Sequence, residues 1–166
     1  MANADETAIY LDMSLNYTLE KKGVKEVLLK TTGCETVMLA ATADGRKLPP
    51  LLILKRKALS KSEAFPKDFT VRAQEKGWMM EELMLEWQKI VWGHRPRAFL
   101  NQPSMFVLDA FKGHLTDSVK NQLRKMDTEL VVIPGGMTSV LQPMDVSFNK
   151  PFKDRLRQQY LILPVS

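Results

Sequence analysis

Cysteine is almost missing from this chain. Cys34 stands alone, which excludes an intrachain disulfide framework and a cysteine-rich zinc site and leaves it a structural role. Long apolar runs are missing too. None approaches the roughly 18 residues that a membrane-spanning helix needs, so no membrane partner is expected. The opening residues, MANADETAIY, lack the basic and apolar regions of a signal peptide, which sets the expectation of an intracellular protein. Internal repeats and low-complexity linkers are likewise absent. Charge of one sign is in short supply: 24 Lys and Arg against 19 Asp and Glu leave a net charge of +5. That excess favours a polyanionic partner without deciding for one.

What is present is an ordinary globular composition, 45% apolar and 26% charged. A chain of 166 residues is long enough to bury roughly two thirds of its unfolded surface. One domain over 1–166 is expected. Because ADETAIYLDM already reads as a strand by its fifth residue, the domain reads as one taken from a longer chain.

The hydrophobic pattern then sets out the elements. ETVMLAATADGRKLPPLLILK is apolar on both sides of Asp44-Gly45, a pair suited to the positive φ angles of a tight hairpin turn. It predicts antiparallel strands over 36–43 and 47–55, the second bulged or exposed where Pro49 and Pro50 cannot donate. KEVLLKTTG, from Lys25, reads as a further strand, and 58–78 as a surface connection. Met80, Leu83, Met84, Trp87, Ile90 and Val91 recur at helical spacing, a stripe read as core and not as a ligand box. SMFVLDA and ELVVIPGG are short continuous apolar runs that fit strands covered on both faces. Between them lies a helix with Thr116 as its N-cap and Val119, Leu123 and Met126 on one face. Phe148, Phe152, Leu156 and Tyr160 place a last helix over 144–160, kinked or restarted at Pro151, which would fall in a first turn. The strands near 5–13, 104–109 and 130–133 are expected to be neighbours in a mixed α/β sheet flanked by helices.

On this layout three acids can converge. Asp5 lies in the first strand, Asp109 ends the strand MFVLD, and Asp145 opens the last helix. Ligand sites of open α/β sheets gather outside the carboxyl ends of strands. Three carboxylates repel strongly unless cations join them. Mg²⁺ (or Mn²⁺), as two ions ~3.5–4 Å apart, would suit phosphodiester cleavage. The plainer role for Asp145 is a helix cap. Alternation sends Glu6 to the face opposite Asp5, and Asp12 lies about two nanometres along, so both read as poor ligands. His94 reads as loop, and Gly135-Gly136 as a turn needing positive φ. Of the basic groups, LKRK at 54–57 and the tail set Lys150, Lys153, Arg155 and Arg157, the tail is the better candidate for a phosphate backbone because its helix begins at Asp145.

NADETAIYLDM, MFVLDAFKGHLT and VVIPGGMTSVLQPMDVSFNKPFK resemble the three blocks of the DDE-superfamily endonuclease domain of pogo-like transposases, in the mariner superfamily, and their domesticated descendants. The segment around Ser139, Leu141, Gln142, Pro143 and Asp145 carries the most specific part. The resemblance implies a ribonuclease H-like fold and an Asp5, Asp109 and Asp145 triad that is both catalytic and metal-binding. It also gives His114 a place near the site. DNA is the implied partner, with two ions bound if the domain is active, and a homo-oligomer is left open. Domesticated relatives serve as nuclear DNA-binding or chromatin-associated proteins, so a catalytically silent nuclear module remains the alternative to an active endonuclease and strand-transfer domain.

Overall fold

The computed structural model describes residues 1–10, 34–100 and 102–162. Its strands are β1 (Ala2–Tyr10), β2 (Cys34–Thr42), β3 (Leu51–Lys55), β4 (Thr70–Gln74), β5 (Ser104–Asp109) and β6 (Thr128–Ile133). Its helices are α1 (Glu81–Ile90), α2 (Asp117–Lys125), α3 (Thr138–Leu141), α4 (Pro143–Ser147) and α5 (Asn149–Ile162). The strands form one mixed sheet in the order β4-β3-β2-β1-β5-β6. β1 therefore sits next to β5, and β5 next to β6, as the apolar pattern requires. The expected strand from Lys25, and positions 11–13 of the first strand, lie outside the described residues.

Both faces of β1 are buried, which fits a central strand. Ala2 and Ala4 join Met38, Ala40, Leu51 and Ile53 under α1 and α2, where Trp87, Trp92 and Phe106 fill the core. Trp87 stacks on Phe106 with ring centroids 5.4 Å apart. On the other face, Ile9, Val37, Leu39 and Met144 form a second core against which Phe148, Phe152 and Leu156 pack. Helices thus cover both sides of a ribonuclease H-like mixed sheet, α1 and α2 on one and α4 and α5 on the other. Thr116 caps α2 by accepting from the Val119 N–H at 3.4 Å. Pro151 falls in the first turn of α5, which restarts after a break at Phe148.

The turn at Asp44-Gly45 forms with Gly45 at φ 85°, and the Thr42 N–H donates to the Arg46 carbonyl at 2.9 Å. The second arm is shorter than expected, because pairing resumes only after the prolines, with Leu51 opposite Met38. The reading of 58–78 as mere connection needs correction: β4 lies inside it, parallel to β3. As an edge strand it buries only Val71, so its sequence carries little apolar signal. The helical stripe is narrower than the spacing implies, since Met80 and Ile90 are 44% and 37% exposed. β6 is also an edge, with Glu129 exposed and Leu130, Val131 and Val132 only half-buried. Its apolar run is not covered on both faces.

Candidate active site

β1 and β5 run parallel, with Ala2 level with Phe106 and Asn3 with Val107. The paired ladder ends there, and Asp5 and Asp109 each lie two residues beyond it. Both acids line one open cleft of about 350 Å³, with Trp78 and Phe111 at its rim. A larger groove of about 940 Å³ follows the β6 edge, but its charges, Lys120 and Arg124 with Asp127 and Glu129, are of both signs and converge on nothing.

Asp145 lies beside Asp5 because two buried amides fasten the start of α4 to the sheet. The Gln142 Nε2 donates to the Ala4 carbonyl at 2.9 Å. Its Oε1 accepts from Asn3 at 3.1 Å. The Asn3 Nδ2 also donates to the Val107 carbonyl at 3.0 Å, and its Oδ1 accepts the Met144 N–H at 3.1 Å. Pro143 opens α4 with its φ already set for a helix. Asp145 then lies in the first turn, yet the residue at the cap position is Gln142, with no side-chain capping bond. The Asp145 carboxylate instead accepts from Asn149 at 2.8 Å. The same Asn149 amide donates to Asp5 at 2.6 Å, so one donor ties two acids together. Burial, with Asp145 and Glu6 adding repulsion against the Asn149 hydrogen bond, pushes the Asp5 carboxyl up to about 7.

Asp109 is held differently. Its Oδ1 accepts from the His114 Nδ1 at 2.9 Å and from the Phe111 N–H at 3.2 Å. The hydrogen bond from His114 keeps its pKa below the usual range despite partial burial. The other ring nitrogen of His114 lies 2.9 Å from Glu6. Burial would depress this histidine, but the two carboxylates outweigh it and raise it to about 9, so the ring is an imidazolium at neutral pH. Gly113 leaves room for the Phe111 ring, which a Cβ there would meet at 2.9 Å.

The family profile described as DDE superfamily endonuclease matches residues 34–163. The chain belongs to that family. The human protein named Pogo transposable element with KRAB domain is 46% identical over 164 residues, 96% of this chain and 27% of the relative. The mouse protein of the same name is 44% identical over the same spans. The human Pogo transposable element with ZNF domain is 30% identical over 161 residues, 94% of this chain and 11% of the relative. The chain therefore spans about a quarter or less of the curated relatives it matches. No solved structure matches it. The likeness places it among pogo-like, transposase-derived DDE domains.

In this DDE domain the donor set suits a hard divalent cation: Asp5, Asp109 and Asp145 offer only carboxylate oxygens. Asp5 is buried, and burial with the repulsion of Asp145 and Glu6 raises its proton affinity. The Oδ1 of Asn149 is buried with no partner among the described residues. On α5, Lys150, Arg155 and Arg157 are exposed and Lys153 half-buried, and Arg157 leans 3.5 Å from Asp154. At the rival basic stretch, Arg56 is engaged by Glu63 at 2.7 Å.

Glu6 follows Asp5 on β1 and lines the same cleft. It joins Asp109 and His114 in a group whose candidate ligand atoms lie within 4.8 Å of one another. Asn3, Gln142 and Asn149 carry no signal of their role in the sequence. Amides leave no periodic signal, although Asn3 shares a strand face with Asp5, and Gln142 and Asn149 lie within the same short block as Asp145.

Proposed function

We propose that this domain binds DNA and cleaves its phosphodiester backbone with two divalent ions, Mg²⁺ or Mn²⁺, held by Asp5, Asp109 and Asp145. One observation carries the reading: Asp5 and Asp109, from adjacent parallel strands, line one cleft, and Asn149 ties Asp5 to Asp145. Bound there, such ions supply Lewis acidity and a water of lowered pKa. The chain's own residues do the positioning. Gln142 and Asn3 fix α4 over the sheet, Asn149 keeps Asp5 and Asp145 together, and His114 holds Asp109. In hydrolysis, the water oxygen bonds to phosphorus as the bond to the leaving nucleoside oxygen breaks, and the water's proton ends on that oxygen. Strand transfer replaces the water with a DNA hydroxyl. Lys150, Lys153, Arg155 and Arg157 extend from the same helix as Asn149 and meet the backbone phosphates, so binding weakens with salt.

The test is nicking of supercoiled plasmid in millimolar Mn²⁺ and Mg²⁺. The parent chain nicks and Asp109→Ala does not. A parent that binds Mn²⁺ but leaves plasmid intact moves the conclusion to a second reading. In that reading the domain is a catalytically silent DNA- or chromatin-binding module of the nucleus. The observation favouring it is that the relatives carry, by name, a KRAB or ZNF domain beside the pogo element, and this chain spans a minor part of each.

A further inference from the structure

Glu6 follows Asp5 on β1 and lines the same cleft as Asp5 and Asp109. It is half-buried, with 17% of its side chain exposed, and its Oε1 meets a histidine that is 1% exposed. That histidine, His114, is engaged at both ring nitrogens, 2.9 Å from Glu6 and 2.9 Å from Asp109. Imidazole is planar and rigid, so fixing one nitrogen fixes the direction of the other. The Phe111 ring meets it edge-on at 5.2 Å and limits its tilt. Asp109 in turn has Oδ1 occupied by His114 and by the Phe111 N–H, while Oδ2 accepts no hydrogen bond among the described residues.

We propose that Glu6 is a positioning residue which, through His114, presents the Oδ2 of Asp109 to a divalent cation and is not itself a ligand. The relay joins two strands: the acid on β1 aims the acid at the end of β5. Groups that orient a ligand in this way commonly change metal affinity by about 10–100-fold when removed. This inference rests on the metal-binding reading of the site. What Glu6 supplies is an acceptor for a ring N–H, and a glutamine carbonyl supplies the same acceptor. A direct ligand would need the carboxylate itself.

The experiment is Mn²⁺ binding to the 166-residue chain, followed by calorimetry or by the electron paramagnetic resonance of free Mn²⁺. Glu6→Ala is expected to weaken binding about 10-fold or more, and Glu6→Gln to restore it to within about threefold of the parent. In a His114→Gln background, Glu6→Ala adds nothing further, because the two residues act in series. Parental affinity in Glu6→Ala overturns the inference alone. So does equal loss in Glu6→Gln and Glu6→Ala, which makes Glu6 a ligand. Absence of Mn²⁺ binding by the parent overturns this inference together with the metal-dependent reading. If His114→Gln fails to fold, the two Glu6 variants decide the question.

Discussion

Asp5 and Asp145 share a single donor. The Asn149 amide nitrogen stands 2.6 Å from one carboxylate and 2.8 Å from the other, at a buried position where neither acid is paired with a cation among the described residues. The bond supports both acids at once. Replacing Asn149 with leucine leaves two carboxylates facing each other with no shared donor. A charge-assisted hydrogen bond is worth about 1.5–3 kcal/mol, and a loss of that order is expected in urea unfolding with chelator present. Asn149→Asp adds a third charge to the pair and is expected to cost more in chelator, with millimolar Mn²⁺ restoring part of the difference. An Asn149→Leu variant with parental stability would mean that the amide does not hold the pair.

The elevated Asp5 sets a pH window in the metal-free protein. Burial lifts its folded-state pKa from the ordinary 3.8 to about 7. Between those values the folded chain keeps a proton that the unfolded chain has released, so folding is penalised increasingly as pH rises through the window and evenly above it. Asp5→Asn removes the penalty. In chelator the variant is expected to melt several degrees above the parent at pH 8, at about 2–4 °C per kcal/mol, and level with it at pH 4. A gain that is the same at both values would exclude titration of Asp5 as its source.

Where a local rule governs, the sequence was readable. Asp44-Gly45 gave the hairpin, Thr116 the start of α2, and the apolar runs before Asp109 and Ile133 the neighbouring strands, since each signal lies within a few residues of its effect. The fold class followed from their order. The site was readable only in part. Alternation sends Glu6 to the other face of β1, but it says nothing of a histidine from beyond β5 that meets it. Asn3, Gln142 and Asn149 act across contacts distant in sequence, and an amide's partners depend on which chain segments meet. β4 leaves little trace in the sequence because an edge strand needs apolar residues on only one face, and Val71 alone meets that need.

Gln142 shows how much rests on such contacts. It is fully buried and joins the Ala4 carbonyl to the Asn3 amide. Gln142→Leu keeps the bulk and removes both bonds. Each buried group left bare costs about 1–3 kcal/mol, so the urea midpoint is expected to fall while the slope m stays the same. Mn²⁺ affinity is expected to fall as well, because α4 then loses its fastening to β1. A stability loss with unaltered affinity would show that Pro143 and the Met144 N–H bond to Asn3 are enough to place Asp145.

Asp145 itself distinguishes a helix cap from a ligand. It does not occupy the cap position of α4, and its carboxylate accepts from Asn149 and not from the helix's first free N–H groups. A capping acid would tolerate Asp145→Asn almost unchanged, since asparagine caps about as well as aspartate. In a cluster of carboxylates, the same change removes one negative charge beside Asp5, whose proton affinity Asp145 helps to raise. The metal-free protein should then gain stability. With cations present the balance reverses, because the removed charge was one that attracted them. Asp145→Asn is therefore expected to melt higher than the parent in chelator, and level with it or lower in millimolar Mn²⁺, with plasmid nicking lost. Equal melting temperatures in both buffers would remove Asp145 from the metal site, leaving Asp5 and Asp109 as its only acids from the proposed triad.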